Sequence, residues 1–212
     1  MEGKGVKRCL CVKRDIHRAA LRCIPVEYFG KPKLARLVPQ PERHPLQRDV
    51  IALIRKHPDE SYLFCGDNGK GKTHFAFALY RHALAKGRPV VYRLLQELLT
   101  EFRIYELQVG KSYDELTDDE KKQRPVVLPS DLKQSNRRWT ILLDDFDKAR
   151  PTEFASEQLF CLLDAARNFG HQLLITTNKR PAELRALWSR IDGVWGNSIM
   201  KCLESCNVIQ MF

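Results

Sequence analysis

The stretch Gly66-Asp67-Asn68-Gly69-Lys70-Gly71-Lys72-Thr73 decides which fold this chain can adopt. It matches the pattern G-x-x-x-x-G-K-T, in which glycines let successive backbone N–H groups point into one concavity that cradles phosphate. Residues 61–65 before it are apolar and aromatic, and residues 74–85 after it place apolar side chains at helical spacing. We therefore predict a phosphate-binding loop between a buried strand and a helix, with these eight residues as the nucleotide-binding segment.

Two side chains of this loop have specific predicted roles. Lys72 should reach the β- and γ-phosphates, and the Thr73 hydroxyl should hold Mg²⁺. The N-terminus of the following helix adds positive potential at the same place. Lys70 brings a further positive charge to which the pattern assigns no role. The loop alone indicates only that phosphate binds, which many activities share.

The composition fits one compact domain with an appendage. The chain has 212 residues, of which 43% are hydrophobic and 29% charged. No apolar run approaches the roughly 20 residues of a membrane span, and no apolar core of a secretory signal follows the basic N-terminus. Seven cysteines without such a signal indicate reduced thiols or a metal rather than disulfides. We expect a cytoplasmic protein with no membrane partner.

Most of the positive charge lies near the N-terminus. Residues 1–40 contain ten Lys and Arg but three acidic residues, so they carry +7 of the net charge of +10. Such a segment attracts nucleic-acid phosphates, although a solvated basic tail without a partner is the alternative. Five prolines in residues 25–45 exclude a continuous helix there. We predict a basic arm, rich in cysteine and proline, over residues 1–44 and a globular domain over residues 45–212.

A zinc site in the arm is a weaker prediction. Its candidate ligands are Cys9, Cys11, His17 and Cys23, because thiolate and imidazole suit zinc. The C-x-C spacing is tighter than the usual C-x₂₋₄-C, and no second cysteine pair follows. The spacing therefore favours ordinary reduced thiols over zinc.

Strands and helices alternate along the rest of the chain. Predicted strands cover residues 61–65, 90–92, 140–144, 173–177 and 206–211, and helices are predicted between them. Residues 110–136 are polar and are predicted to form a helical excursion on the surface. This alternation indicates an α/β fold with a five-stranded parallel sheet covered on both faces. Functional side chains should then lie where the strands end.

Two adjacent carboxylates, Asp144 and Asp145, end the apolar third strand. Two carboxylates at the end of a buried strand would lose solvation free energy unless a cation or a hydrogen-bond donor compensates. A Mg²⁺ ion and a water molecule would provide that compensation. Asp144 is predicted to bind Mg²⁺, directly or through water. Asp145 is predicted to act as the base or to orient the attacking water. The alternative is a carboxylate pair that caps the following turn.

Two further residues are candidates for the reaction itself. Asn178 follows the fourth strand and could hold the attacking water against the γ-phosphate, with Thr176 and Thr177 as weaker candidates. An asparagine that merely ends a strand is the alternative. Arg190, after the next helix, could act in the site of a neighbouring subunit, as arginine fingers do, or could form a surface ion pair.

These segments together resemble the DnaC/IstB branch of the AAA+ ATPases, which comprises bacterial helicase loaders and transposase helper proteins. The matching segments are GDNGKGKTHFAFAL at 66–79, ELLTEFR at 97–103, ILLDDF at 141–146, LLITTNKRPAEL at 173–184 and WSRI at 188–191. The resemblance covers roughly residues 45–200. It implies an AAA+ three-layer sandwich, and the short tail leaves no room for a C-terminal helical lid. Lys70, where the family usually has a small residue, departs from the pattern.

The resemblance implies a DnaC-like helicase loader acting in DNA replication. Such a protein would bind ATP with Mg²⁺, hydrolyse ATP slowly, assemble with copies of itself and bind single-stranded DNA. Its partner would be a replicative helicase, or a transposase if the protein is an IstB-like helper. Two alternatives from other classes are a small-molecule P-loop kinase, for which the sequence shows no lid or acceptor site, and a nucleotide-gated adaptor that hardly hydrolyses ATP.

Overall fold

The computed structural model describes residues 25, 33–106, 125–191 and 193–212. The strands are β1 (Tyr62–Gly66), β2 (Val90–Leu94), β3 (Thr140–Asp144), β4 (Gln172–Thr177) and β5 (Asn207–Met211). The helices are α1 (Gln47–Lys56), α2 (Lys72–Ala85), α3 (Leu95–Glu106), α4 (Pro129–Gln134), α5 (Glu153–Asn168), α6 (Pro181–Trp188) and α7 (Gly193–Leu203). A short 3₁₀ helix (Leu34–Arg36) precedes α1.

The five strands form one parallel sheet in the order β2-β3-β4-β1-β5. Every residue of β1, β3 and β4 is buried, which explains why these strands are almost continuously apolar in sequence. The predicted five-stranded parallel sheet is confirmed. Because β4 lies between β1 and β3, the carboxyl ends of these three strands are neighbours at one edge of the sheet.

Two hydrophobic clusters cover the two faces of this sheet. Along β3, Leu143 faces a cluster that includes side chains of α3, α5, α6 and α7. Its neighbour Leu142 faces the other cluster, which is built mainly from α1, α2 and the 3₁₀ helix. This alternation produces three layers, helices–sheet–helices, and confirms the predicted sandwich.

Helix α7 was not among the predicted helices. Within it, Gly196 has a packing role. A Cβ atom at this position would lie 2.7 Å from the backbone nitrogen of Ser189 at the end of α6. The glycine therefore permits α6 and α7 to approach closely, and α7 packs the buried Ile199 and Met200 into the core.

The predicted helical excursion over residues 110–136 contains a helix, α4, in its described part, but this part is not confined to the surface. Residues 110–124 lie outside the described residues. Val127 and Leu132 are fully buried, and α4 carries Leu132 into the cluster that covers α5. Val126 and Leu128 are partly buried against the same cluster, so several apolar residues attach this segment to the core.

Part of the predicted arm packs on the globular domain. Leu34 and Leu37 are buried against α1 and α2. Arg55 of α1 donates hydrogen bonds to the carbonyls of Leu34, Ala35 and Leu37 at 3.1, 3.2 and 2.7 Å.

The domain boundary after residue 44 stays a prediction. The zinc candidates Cys9, Cys11, His17 and Cys23 lie outside the described residues. In the described part of the chain, no helix combines the length and apolarity needed to cross a membrane.

Candidate nucleotide-binding site

The predicted phosphate-binding loop connects β1 to α2. Gly69 and Gly71 have φ angles of 79° and 100°, in the region that favours glycine. At Gly66 a Cβ atom would lie 2.6 Å from the carbonyl carbon of Met211, so glycine lets β5 pass close to the start of the loop. The loop glycines are therefore required by both backbone conformation and packing.

Lys72, the first residue of α2, is buried and points back across the loop. Its Nζ donates to the carbonyl oxygen of Asp67 and to Oδ1 of Asn178, both at 2.9 Å. Burial lowers the pKa of Lys72, although nearby carboxylates, with Asp145 foremost, oppose this shift. The ammonium thus rests on two neutral acceptors, which negatively charged phosphate oxygens can replace.

Asp144 ends β3 beside the loop and is 7% exposed. The Thr73 hydroxyl donates to Asp144 Oδ1 at 3.1 Å, and the Thr176 hydroxyl donates to the same oxygen. Burial raises the pKa of Asp144, and the hydroxyl of Thr176 only partly opposes that shift. Mg²⁺ prefers oxygen ligands, and the hydrogen bonds described for the Asp144 carboxylate come from uncharged hydroxyls. Thr73 and Asp144 therefore fit the predicted metal site.

Asp145 adopts a left-handed backbone conformation with φ of 53°, the one non-glycine residue with positive φ among the described residues. Its side chain lines the same cavity as the loop. Lys148 Nζ donates to Asp145 Oδ2 at 2.8 Å, and this contact raises the pKa of Lys148. The predicted base is therefore present at the site but is held in an ion pair.

Asp147 is a site residue that the sequence prediction missed. Its Oδ1 accepts hydrogen bonds from the backbone N–H of Asn178 at 2.8 Å and from the Thr177 hydroxyl at 2.9 Å. It thereby fixes the end of β4 to the loop after β3 and orients Asn178 toward Lys72. Its sequence signal was its place as the third carboxylate within four residues after an apolar strand.

Lys72, Thr73, Asp144, Asp145 and Asn178 line one cavity of about 890 Å³. The far wall comes from the chain before β1, namely Val38, Gln40, Arg43 and Gln47, together with Pro25 and His74. Gln47 Nε2 donates to the carbonyl of Lys70 at 2.9 Å, and its Oε1 accepts from the backbone N–H of Gln40 at 2.8 Å. Gln47 thus ties the loop to this wall, a contact that no local spacing in the sequence reveals.

The structure brings together Lys72, Thr73, Asp144, Asp145 and Asn178 from three strand ends, as predicted. Thr176 and Thr177, the weaker candidates for holding water, instead donate to Asp144 and Asp147. Arg190 is exposed and does not line the cavity of its own chain. Its action in a neighbouring subunit stays a prediction.

Asp144→Asn should stabilise the nucleotide-free protein at neutral pH. Because the pKa of Asp144 is higher in the folded state than in the unfolded state, ionising this carboxyl lowers the free energy of unfolding. The loss develops as pH rises above the ordinary carboxyl pKa. The variant's free energy of unfolding should exceed the wild-type value by about 1 kcal/mol at pH 7 and converge with it in acid. Urea unfolding at both pH values without Mg²⁺ measures this. A variant less stable than wild type at pH 7 would show that the carboxylate stabilises the fold.

No protein-family model matches the chain. It is 23% identical over 133 residues to the chromosomal replication initiator protein DnaA of Aliarcobacter butzleri (strain RM4018), a match that covers 62% of this chain. The chain spans 26% of that relative's length.

Solved structures resemble the whole described fold. DnaI aligns with a TM-score of 0.61 and 16% identity, covering 90% of this chain and 95% of DnaI. The DnaC helicase loader aligns with a TM-score of 0.59 and 19% identity, covering 89% and 100%. Replication initiator DnaA bound to AMPPCP and single-stranded DNA aligns with a TM-score of 0.57 and 14% identity, covering 87% and 50%. The chain therefore has the same three-layer α/β fold, with a five-stranded parallel sheet, as the solved structures of the DnaC helicase loader, DnaI and DnaA.

Proposed function

We propose that this protein binds and hydrolyses ATP. The observation that carries the proposal is the convergence of Lys72, Thr73, Asp144 and Asn178 on one wall of the 890 Å³ cavity. A lysine, a hydroxyl, a buried carboxylate and an amide at the ends of adjacent parallel strands are the groups that phosphoryl transfer requires. The AMPPCP bound to the DnaA structure supports a nucleoside triphosphate as ligand.

Each group has a role that follows from its contacts. Lys72 exchanges Asp67 and Asn178 for phosphate oxygens, which frees the Asn178 amide to orient a water molecule. Thr73 and Asp144 would hold Mg²⁺, which neutralises charge on the phosphates when bound. Asp145 accepts the proton of the attacking water once its carboxylate is released from Lys148. Asp147 keeps Asn178 in position through the backbone N–H.

The biological role that we propose is that of a DnaC-like helicase loader in DNA replication. The alignment covers the full DnaC chain and nearly all of DnaI. The DnaA structure contains single-stranded DNA, and the basic residues 1–40 supply charge for the same ligand here. The exposed Arg190 would complete the site of the next subunit in an ATP-bound homo-oligomer, and a replicative helicase would be the partner.

A nucleotide-gated adaptor that hardly hydrolyses ATP is the second candidate. The Asp145–Lys148 ion pair favours it, because a paired carboxylate is a poorer base. In that case nucleotide binding alone would change the affinity for partners. ATP turnover separates this candidate from the loader, since both require the same binding loop.

An ATPase assay with and without single-stranded DNA, combined with sedimentation of the same samples, tests the proposed function. We expect slow hydrolysis that DNA stimulates, together with ATP-dependent assembly. ATP-dependent assembly without turnover would favour the adaptor. Phosphate transfer to a small acceptor instead of water would contradict the proposal and indicate a kinase.

A further inference from the structure

A cluster of basic residues lies at the amino ends of the strands, on the sheet edge opposite the nucleotide cavity. Parallel strands begin at the same edge, so the chain segments before β1, β2 and β3 come together there. They carry Asp59, Lys86, Arg88, Arg137 and Arg138, and the strands that separate them from the cavity span roughly 16 Å. We call the four cations Lys86, Arg88, Arg137 and Arg138 the basic edge.

Asp59 is at the centre of this cluster. Its carboxylate contacts Lys86 Nζ at 2.9 Å and Arg88 Nη1 at 3.1 Å. Burial alone would raise the pKa of Asp59, but the contacts with Lys86 and Arg88 outweigh it and lower that pKa below its ordinary value. One carboxylate is therefore shared by two cations and cannot neutralise both.

The hydrogen bonds that Arg137 and Arg138 donate across this cluster end on backbone carbonyls rather than on carboxylates. Arg138 Nη2 donates to the backbone carbonyl of Asp59 at 2.7 Å, and Arg137 donates to the carbonyl of Gly87. Both side chains are exposed. A carbonyl orients a guanidinium but carries no net charge, so each retains its positive charge and free N–H donors toward solvent.

The charge of this edge is large relative to the domain. Against its four cations stand Asp59 and Glu60, which leaves two positive charges. Residues 41–212 together carry +3, because residues 1–40 account for +7 of the +10. The excess at the basic edge therefore equals two of these three net charges. His82, which lies 3.9 Å from Asp59, adds none at neutral pH because burial lowers its pKa.

An exposed aromatic side chain lies at the same edge. Phe169, in the turn between α5 and β4, is 50% exposed, and β4 lies between β3 and β1. The loops before β3 and β4 are joined, because the backbone N–H of Trp139 donates to Nδ1 of His171 at 3.2 Å. Cations and an exposed aromatic ring on the same side of a domain are the combination that binds unpaired nucleic-acid strands, because bases stack on the ring and phosphates bind the cations.

We propose that the basic edge and Phe169 form a contact surface for single-stranded nucleic acid, separate from the N-terminal arm. The proposal rests on the DNA-binding role proposed above and adds where the folded domain contacts the strand. Arg137 and Arg138 hold phosphates, and Phe169 stacks on a base. An acidic protein partner is the competing occupant, and the exposed aromatic ring favours nucleic acid.

The double variant Arg137→Gln/Arg138→Gln tests the phosphate contacts. Anisotropy of a labelled oligothymidine, measured with the full chain over a series of salt concentrations, gives affinity and salt dependence. We expect about tenfold weaker binding at low salt and a log–log salt slope reduced by about 1.4, since each lost phosphate contact removes about 0.7. Arg48→Gln/Arg150→Gln removes the same charge from exposed residues at the opposite edge and should change affinity less than about twofold.

Two further variants protect the test from folding artefacts. Glu60→Gln removes an acid beside the basic edge while keeping hydrogen-bonding capacity, so it should strengthen binding about threefold, which a misfolded protein cannot do. Phe169→Ala should weaken binding about fivefold with an unchanged salt slope, because stacking releases no counterions. A duplex probe should show no effect of Phe169→Ala.

Three outcomes would overturn the inference in distinguishable ways. If wild type binds oligothymidine but the double variant matches its control, the basic edge is not a DNA contact, while the proposed function stands. If wild type does not bind at low salt, the proposed DNA role fails and the inference fails with it. If the double variant keeps its DNA affinity but loses a replicative helicase in co-sedimentation, the surface serves a protein instead.

Discussion

Lys72→Ala should lower the affinity for ATP by more than about 100-fold, because it leaves phosphate charge unpaired in a buried site. Lys72 is the buried ammonium of the loop and touches only neutral acceptors among its hydrogen-bond partners in the described residues. Its replacement also removes the desolvation cost that lowers its pKa, so the nucleotide-free fold should survive. Fluorescent-nucleotide titration measures affinity, and circular dichroism checks the fold.

Lys70→Ala is the matched comparison for this experiment. It removes the same charge from the same loop, but the Lys70 carbonyl remains available to Gln47. Lys70 is half-buried. The affinity for ATP should therefore fall by no more than about threefold, the scale of one charge that solvent still screens. Retained affinity within threefold in Lys72→Ala itself would contradict the assignment of the phosphate site.

Asp145→Asn should leave ATP binding intact and slow hydrolysis by about 10²–10⁴-fold, the usual contribution of a general base. Asparagine tolerates the left-handed backbone conformation at this position better than most residues, and its side-chain oxygen can still accept from Lys148. The variant should therefore fold normally. Phosphate release under single-turnover conditions separates the chemical step from nucleotide binding.

Glu97→Gln is the control for the loss of negative charge in Asp145→Asn. Glu97 is exposed and lines the neighbouring cleft of about 660 Å³, which also contains Asp145 and Lys148. The substitution removes one negative charge from the cleft that contains Lys148, and it leaves the Asp145 carboxylate in place to accept a proton. Its turnover should stay within about twofold of wild type. Equal slowing in both variants would assign the effect to local charge, and an unchanged rate in Asp145→Asn would place the base elsewhere.

The local sequence pattern was sufficient to predict the loop and most of the candidate catalytic side chains that the structure brings together. The loop needs glycines at fixed spacing, and a buried strand must be apolar until it ends, so Asp144 and Asn178 stood out by position alone. Their meeting followed from the parallel alternation of strands and helices, since parallel strands end at a common edge. The identities of these residues and their placement were thus both accessible from sequence.

Contacts between distant segments were not accessible in this way. Asp147 acquires its role from Asn178, 31 residues away, and Gln47 from Lys70, 23 residues away. The sequence also indicated neither the positive φ of Asp145 nor its pairing with Lys148. Nor did it indicate the close packing of α6 against α7 that Gly196 permits.

The sequence by itself determined the phosphate-binding loop, the five-stranded parallel sheet and the carboxylate and amide at the strand ends. Only the tertiary structure decided which groups hold these residues in place and that the cations before β2 and β3 gather around Asp59. The physical reason is that strand and loop chemistry depends on residues adjacent in the chain. Hydrogen bonds and ion pairs between loops depend on the order of strands in the sheet, which local spacing does not encode.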